Sequence, residues 1–336
     1  MFFSSWLRKP NAKPRTSRRA NSFRPRLEVL EGRALPSNNT LTVTNLYDSG
    51  PGSLRYEIAQ VTSKDNTIVF DKKLGGTITL TTGELVISKS LTIKGDSKVT
   101  IESQPWVDNL FDYHWGSRIF EVDGAGTTVA LSGLTITGGG GTRLGGGNIG
   151  YPNDGYGGAI LNFGTLTISG CTLGGNNFVG LSSLQGNDAE YGGAIANFGT
   201  MTVTNCDVSN NRASGPGDDL GGGIYNAGTM TVSGGDVSAN SAVAGGGIYN
   251  AGTATVSGCA LSFDASGYGG GIFNDAAGTI TVSGCTLSGD HAYNTGGGIL
   301  NFGAGGALMV SNSIFSSNTP DNVNGSYTDG GGNIFN

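Results

Sequence analysis

Two aspartates at equivalent places in neighbouring repeats are the first residues whose type and spacing could do chemistry. Asp207 and Asp236 follow similar Thr/Val-rich segments and lie 29 residues apart. If those segments are adjacent strands, the carboxylates lie about 5 Å apart, which suits a Ca²⁺ ion or the acid pair of a retaining glycosidase. The corresponding residues on either side are Thr172 and Ala260, and no third acid follows in register. This favours solvated surface acids. We therefore predict no metal site. Asp207 and Asp236 are the weak candidates for one.

Three aromatic residues could contact a ligand. Tyr225, Tyr249 and Phe273 each stand directly before an asparagine in successive repeats. Facing outward, they would form a strip about 10 Å long able to stack on sugar rings. The alternative is that they pack on one another or beneath loops, which is the more frequent fate of large aromatic side chains. The strip is still the best candidate for a ligand-facing surface, with possible glycan contacts.

Four cysteines recur at one place in the repeats: Cys171, Cys206, Cys259 and Cys285. Gly235 and Ser313 fill the two other positions. We predict a structural stack of small buried thiols, because free cysteine is among the most buried residue types. Stacked parallel side chains rarely reach the dihedral angle of a disulfide. No CxxC spacing and no histidine partner is present, so neither zinc nor any other cofactor is predicted.

A carbohydrate-active enzyme, either a polysaccharide lyase or a glycoside hydrolase, is the alternative function. A lyase needs a base, usually Lys or Arg, beside its substrate. After Lys98 the sequence has no lysine and three arginines, Arg118, Arg143 and Arg212. This scarcity of basic side chains favours a non-catalytic protein, and we predict no catalytic residue. Carboxylates in the insertions stay open as hydrolase groups, namely Asp154, Asp188, Glu190, Asp218 and Asp219.

The elements that position these residues come from a repeat with the pattern GG-[AG]-I-x-N. Its seven copies end at Asn162, Asn197, Asn226, Asn250, Asn274, Asn301 and Asn336, with spacings of 35, 29, 24, 24, 27 and 35 residues. A minimum of 24 residues with longer variants is typical of a solenoid rung with loop insertions. We predict that these asparagines line up as a structural ladder. A second column is predicted at Asn176, Asn211, Asn240, Asp264, Asp290 and Asn318.

Each repeat continues into alternating segments such as MTVTNCDV, residues 201–208. Apolar residues at every second position predict strands with one buried face. One rung cannot bury that face alone, but rungs stacked about 4.8 Å apart form parallel sheets around a continuous core. The sequence therefore predicts an all-β fold, a right-handed parallel β-helix (solenoid).

The chain divides into a tail and one solenoid. Residues 1–38 are predicted to be a disordered basic N-terminal targeting segment, and residues 39–336 a parallel β-helix. Within it, 39–87 form the N-terminal cap and first irregular strands, 88–150 irregular rungs and 151–336 the repeat rungs. In GSLRYEIAQV, residues 52–61, Leu54, Ile58 and Val61 share one helical face and predict a short capping helix.

Charge and hydropathy exclude two classes of partner. Residues 1–37 carry a net charge of +7, and the remainder carries −13. The acidic part would repel phosphate, so nucleic acid is not a predicted partner. No apolar run approaches the roughly 20 residues of a transmembrane helix, so no transmembrane segment is predicted.

The tail resembles a known export motif. RPRLEVLEGRALPS, residues 24–37, is similar to the N-terminal motif RLxLExLExRxLLS of surface and exported proteins of planctomycete bacteria. Pro36 departs from the usual second leucine. This resemblance implies export from a bacterium of that kind.

The solenoid resembles bacterial surface β-helix proteins. The segment TVTNLYDSGPGSLRYEIAQ is similar to their DSGPGSLRxAI motif, with Glu57 in place of alanine. The repeats resemble the GGA[ILV] and FxxN repeats of the chlamydial polymorphic outer membrane proteins, and residues 315–318 match the second motif fully. The resemblance implies a secreted or cell-surface protein of the cell envelope with an adhesin or structural role. Its expected partners are cell-surface polysaccharide or host and matrix components. The uncapped edge at GGGNIFN leaves two alternatives: the sequence is a fragment, or this edge stacks end to end on another β-helix.

Overall fold

The computed structural model describes residues 40–62, 66–103, 106–109, 112–114, 116–141, 155–175, 186–303 and 305–336. These residues belong to one compact unit, Ser37–Asn336. The predicted targeting segment, residues 1–38, lies outside the described residues. Asn176, Arg143 and Asp154 also lie outside them.

The strands are short and follow one another closely. The first are β1 (Thr40–Val43), β2 (Asn66–Phe70), β3 (Gly76–Leu80), β4 (Leu85–Ile87), β5 (Leu91–Lys94), β6 (Val99–Ser103), β7 (Trp106–Asn109), β8 (Asp112–His114), β9 (Phe120–Val122), β10 (Thr128–Ser132) and β11 (Thr135–Thr137). The middle strands are β12 (Ile160–Asn162), β13 (Thr165–Ser169), β14 (Thr172–Gly174), β15 (Asp188–Ala189), β16 (Ile195–Asn197), β17 (Thr200–Ser209), β18 (Arg212–Ala213), β19 (Ile224–Asn226), β20 (Thr229–Ser238) and β21 (Ser241–Ala244). The last are β22 (Ile248–Asn250), β23 (Thr253–Ser257), β24 (Ala260–Ser262), β25 (Ala265–Tyr268), β26 (Ile272–Asn274), β27 (Thr279–Ser283), β28 (Thr286–Ser288), β29 (His291–Thr295), β30 (Ile299–Asn301), β31 (Ala307–Ser311), β32 (Ile314–Ser316), β33 (Val323–Asn324), β34 (Thr328–Asp329) and β35 (Ile334–Phe335).

These strands stack into parallel columns, which makes the fold a right-handed parallel β-helix. The Asn sheet consists, within the described residues, of the nine strands β4, β9, β12, β16, β19, β22, β26, β30 and β33. The Thr column consists of β1, β2, β5, β10, β13, the first halves of β17 and β20, β23, β27, β31 and β34. The Cys column consists of β3, β6, β11, β14, the second halves of β17 and β20, β24, β28, β32 and β35.

Two smaller sheets complete the described strands. The short sheet holds β15, β18, β21, β25 and β29 in parallel. β7 and β8 form an antiparallel pair.

The core follows from the period-two pattern. In β17, Met201, Val203, Cys206 and Val208 are buried, while the Thr residues between them face outward. The same parity repeats in every rung, so apolar side chains form one continuous cluster from Val43 to Phe315. Stacking thereby supplies each rung with the apolar contacts that it lacks alone.

The corners between the Thr and Cys columns need left-handed backbone. The residues there are Gly170, Asn205, Gly234, Gly258, Gly284 and Asn312, with φ between 48° and 63°. Glycine adopts this conformation without steric cost, and asparagine tolerates it better than other residues. The glycine-rich composition therefore serves the turns of the coil.

A short helix caps the first rung, as predicted. Helix α1 (Leu54–Gln60) begins after Ser53, whose side chain accepts a hydrogen bond from the Tyr56 backbone N–H. Leu54 and Val61 are fully buried in the core, and Ile58 packs against it. This burial of one helical face closes the apolar interior at that end of the solenoid.

Candidate functional site

The Asn ladder forms the spine beneath the candidate site. Six of the seven predicted asparagines lie in one column: Asn162, Asn197, Asn226, Asn250, Asn274 and Asn301. Each of the first five side-chain amides donates to the Oδ1 of the next asparagine at 2.7 Å. All six are at most 2% exposed. The ladder satisfies buried polar groups and holds successive rungs in one register.

Asn336 does not belong to this ladder, so its prediction is wrong. Ile334 and Phe335 pair with Ile314 and Phe315 of the Cys column instead. Leu300 pairs with Asn324, which places Gly325 beside Asn301. Gly325 lies 24 residues after Asn301, the minimum rung length, whereas Asn336 lies 35 residues after it.

The Cys column holds the four cysteines as free, buried thiols. The neighbouring Cys206 sulfur and burial together raise the pKa of the Cys171 thiol. Cys285 and burial act on Cys259 in the same way. At Gly235, φ is +78° and a Cβ would lie 2.1 Å from the Cys206 carbonyl oxygen. Only glycine fits this break in the stack.

The outward face of the Asn sheet carries a layer of eight aromatic side chains. We call them the aromatic layer: Tyr156, Phe163, Tyr191, Phe198, Tyr225, Tyr249, Phe273 and Phe302. Neighbouring rings have centroids between 4.7 and 6.4 Å apart. Stacked and edge-to-face pairs at such distances attract each other beyond their burial of area.

The predicted strip forms the middle of this layer. Tyr225 stacks on Tyr249 with centroids 5.6 Å apart, and Tyr249 stacks on Phe273 at 5.0 Å. Tyr249 and Phe273 are only 8% and 7% exposed. Both faces of Tyr249 are thus covered by rings, which is the second predicted arrangement, in which the side chains pack on one another. Any ligand at Tyr249 would meet the ring edge and hydroxyl rather than a face.

The accessible rings lie around the strip, at positions that the sequence did not single out. Phe198 is 37% and Phe302 is 53% exposed. Tyr156 and Tyr191 stack at 4.7 Å and are half-buried. Of these residues, Tyr191 and Phe198 stand on the same rung as Ala196, on either side of it.

Large side chains stand at the centre of some rungs and at the flanks of others. The centre is the residue directly before the ladder asparagine, and the flanks are the outward residues on either side of it. Where the centre is Ala196, the flanks of that rung are Tyr191 and Phe198. Where the centre is Tyr249, the flanks are Ala244 and Ala251. On these two rungs a small centre therefore goes with large flanks, and a large centre with small flanks. This pattern is the signal that could have revealed the full layer from sequence.

Carboxylates surround the tyrosine hydroxyls. Burial, together with the neighbouring Glu190 and Asp218, raises the pKa of Tyr191 to about 12. Burial and the neighbouring Asp275 raise the pKa of Tyr249 as well. These tyrosines therefore stay protonated and act as hydrogen-bond donors throughout the physiological range.

A buried ion cluster lies beside the layer at its N-terminal end. Arg118, 1% exposed, donates to Glu84 at 2.6 Å and to Glu121 at 2.8 Å. It also donates to the carbonyl oxygens of Tyr156 and Gly157, so it joins three successive rungs. Burial and repulsion from Glu84 raise the pKa of Glu121, against the attraction of Arg118. Sequence reasoning missed this cluster, because its members lie in irregular rungs without a repeat signature.

The predicted acid pair and Asp188 lie away from the tyrosine hydroxyls. Asp207 and Asp236 are in register on adjacent strands, between Thr172 and Ala260, as the sequence predicts. Asp188 is buried and accepts from the Ser214 hydroxyl at 2.7 Å. Over the part of the chain that the structure describes, no three His, Cys, Asp or Glu side chains come together as metal ligands. Among those same residues, no helix has the length and hydropathy to span a membrane.

Comparison with known proteins gives a fold-level likeness. No protein-family model and no curated protein matches this sequence. Among solved structures, the chain is similar to the crystal structure of pectate lyase Pel9A, with a TM-score of 0.42 and 14% sequence identity. The match covers 85% of this chain and 78% of that one.

Proposed function

We propose that this chain is a non-catalytic β-helix protein, secreted or held at the cell surface, that binds polysaccharide through the aromatic layer. Its role is adhesive or structural within the cell envelope. The observation that carries the proposal is the continuous aromatic layer with exposed rings at Phe198 and Phe302. Exposed contiguous apolar surface marks interaction sites.

The chemistry of the layer suits sugars. Aromatic rings take the apolar faces of sugar rings, while tyrosine hydroxyls and carboxylates take their hydroxyl groups. Phe198 and Phe302 supply exposed ring surface, and Tyr191 with Glu190 supplies a polar pair beside it. The layer spans six strands of the Asn sheet, from β12 to β30, and is about 24 Å long at the usual strand separation. An extended chain is the ligand shape that matches such a row.

A glycan array with the full chain tests the binding proposal. We expect binding to at least one oligosaccharide, and Phe198→Ala and Phe302→Ala should each weaken it about fivefold or more. Tyr293→Ala is the matched control, because Tyr293 is 79% exposed outside the layer. Tyr249→Phe keeps the stacked ring and removes only the hydroxyl group, so it measures the contribution of that hydroxyl to binding. Circular dichroism verifies folding of each variant.

Two results would overturn the proposal. One is the absence of any bound glycan on the array and on insoluble cellulose, chitin and pectin. The other is an equal loss of binding in Tyr293→Ala and in the two phenylalanine variants.

The envelope location is supported by the resemblance of residues 24–37 to an export motif. A reporter enzyme fused behind residues 1–38 tests it in a planctomycete host. Secretion of the reporter, and its loss on deletion of residues 24–37, is the expected result. Retention inside the cell would contradict it.

A carbohydrate-active enzyme is a second candidate, favoured by the carboxylate pair beside the layer. Glu121 has a raised pKa, and Glu84 lies beside it on the same guanidinium. Two neighbouring carboxyl groups are the usual catalytic pair of glycoside hydrolases. Assays for reducing ends or unsaturated products on polysaccharides separate the two functions. Product release by the wild-type chain that disappears in Glu121→Gln supports the enzyme, whereas the non-catalytic proposal expects no release from either.

A further inference from the structure

The second polar column contains two acids where its other members are amides. The column consists of Asn187, Asn211, Asn240, Asp264, Asp290 and Asn318. Asn187 stands at the position predicted for Asn176, and it lies 24 residues before Asn211. All but Asn318 are at most 1% exposed. Two aspartates therefore lie on consecutive rungs inside the solenoid.

The amides show what this column requires. The side-chain amide of Asn211 donates to the Leu173 carbonyl one rung back, at 3.0 Å, and to Asn240 Oδ1 on the next rung, also at 3.0 Å. Asn240 donates in the same way to the Val208 carbonyl and to Asp264 Oδ1. Each position thus needs an oxygen that accepts from the preceding rung. It also needs a donor for the backbone carbonyl of that rung.

Asp264 and Asp290 provide the acceptor but, when ionised, not the donor. Asp264 Oδ1 accepts from Asn240, and Asp290 Oδ1 accepts from the Asp264 backbone N–H at 3.0 Å. The Oδ2 atoms of both side chains are buried without a hydrogen-bond partner. By register, the carbonyls that an amide would reach are those of Val237 and Leu261. A protonated carboxyl group has the missing donor.

Within the described residues, the surroundings of the two Oδ2 atoms offer no cation that would stabilise an ionised carboxylate. A Cβ on Gly247 would lie 2.6 Å from Asp264 Oδ2, and one on Gly271 would lie 2.9 Å from Asp290 Oδ2. Each Oδ2 is therefore packed against glycine backbone. No Lys, Arg or His faces the pair from β22, β24, β25, β26 or β28. On β29, His291 is exposed and its ring pairs with the Thr319 hydroxyl. Tyr249, Tyr268 and Tyr293 on these strands belong to the outer surface.

We propose that Asp264 and Asp290 are a pH switch, in which two protonated carboxyl groups complete the column and loss of their protons loosens rungs β22 to β29. Two ionised carboxylates on adjacent rungs would repel each other in a region without a cation. The backbone that they contact, Gly247 and Gly271, lies two residues before Tyr249 and Phe273. A shift of this backbone therefore also shifts the neighbouring rings of the aromatic layer.

The direction of the pH effect follows from burial. Burial, followed by repulsion from Asp290, raises the pKa of Asp264 well above its usual value. Burial also raises the pKa of Asp290, to about 7. A carboxyl group whose pKa is raised by folding contributes its full stability below its unfolded pKa, near 4. That contribution is lost as the pH rises through the folded-state pKa, which is about 7 for Asp290 and well above the ordinary range for Asp264.

Thermal unfolding of the full chain tests the switch. We compare the wild type with Asp264→Asn/Asp290→Asn, which restores the amide donor at both positions, between pH 5 and pH 8. The double variant should have a Tm about 5 °C or more above the wild type at pH 8, and this gain should shrink or reverse at pH 5. Asp207→Asn/Asp236→Asn is the matched control, because it removes two acids at in-register surface positions. Its Tm difference from the wild type should not change in this way with pH.

A direct titration keeps the inference testable even if the double variant fails to fold. In wild-type protein, the side-chain ¹³C signals of two aspartates should titrate near or above pH 7, far from the remaining ones. Hydrogen exchange of the β24 and β28 amides should quicken over the same range. Ordinary titration of every aspartate below pH 5, or an equal pH dependence in the wild type and the double variant, would overturn the proposal.

Discussion

At the residue scale, the asparagine side chain suits a column of identical rungs because it both donates and accepts. In the Asn ladder each amide donates to the next oxygen at 2.7 Å, so one repeating contact satisfies every rung. At the C-terminal end, Asn301 donates to the Ser326 carbonyl instead. Gly325, beside it, has no side chain to continue the ladder.

Removing one amide from the middle of the ladder should be costly. Asn226→Ala removes the shortest acceptor of the Asn197 amide and the ladder donor to Asn250 Oδ1, both in a buried place. We expect the free energy of unfolding to fall by about 2–4 kcal/mol. Guanidinium denaturation followed by circular dichroism measures the change. Asn294→Ala is the control, because that amide is exposed, and it should cost less than about 0.5 kcal/mol. Similar losses in the two variants would contradict the ladder's role.

The sequence predicted the ladder wherever the repeat motif stands in the Asn sheet, and failed at the last copy of the motif, which lies in the Cys column. Asn226, Asn250 and their equivalents were found because a fixed contact requires a fixed residue. Asn336 was assigned wrongly because the GG-x-I-x-N pattern was followed in place of the 24-residue rung. The acids Asp264 and Asp290 were placed correctly in a column. Their burial without a hydrogen-bond donor could not be predicted from the sequence, because it depends on how the glycines of the neighbouring rungs pack against them.

At the element scale, the rung is defined by its corners. The corner that follows the Cys column uses Asn210, Ala239, Phe263, Gly289 and Ser317, all with φ between 54° and 69°. Alanine and phenylalanine are strained there, because the left-handed conformation costs residues with a Cβ roughly 1–2 kcal/mol. Stacking of the rungs imposes this geometry on whichever residue stands at the corner.

Relieving that strain should stabilise the protein. Ala239→Gly should raise the free energy of unfolding by about 0.5–1 kcal/mol, since glycine adopts φ near +54° freely. Ala242→Gly, in the strand β21, is the matched control and should lower it by a similar amount. Chemical denaturation of both variants provides the comparison. Destabilisation by Ala239→Gly as large as that by Ala242→Gly would show that the corner is not strained.

The strands themselves were predictable, but the surface that they build was not. Alternation in segments such as β17 determines which residues face the core, because the strand period is two. The aromatic layer depends instead on which side chains of different rungs become neighbours. Phe198 contacts Tyr156 and Tyr225 from other rungs, and insertions of variable length hide that relation in the sequence. The buried Arg118 cluster was missed because its members lie in irregular rungs without a repeat signature.

At the scale of the whole molecule, the account depends on rungs that are stacked at a constant separation. Stacking makes the core continuous from Val43 to Phe315 and brings the aromatic layer together from distant repeats. The N-terminal helix α1 covers one end of that core. Both proposals, glycan binding and the pH switch, use residues that only stacking brings into contact.

Spin-label distances along the Thr column test this stacking most directly. Thr128 and Thr279 are exposed and separated by five rungs through β10, β13, β17, β20, β23 and β27. With both positions replaced by labelled cysteine, we expect a narrow distance distribution near 24 Å, and one about 5 Å shorter for Thr165 with Thr279. The native cysteines are at most 3% exposed, so labels attach at the introduced sites. A broad distribution, or no difference of one rung between the two pairs, would contradict the account.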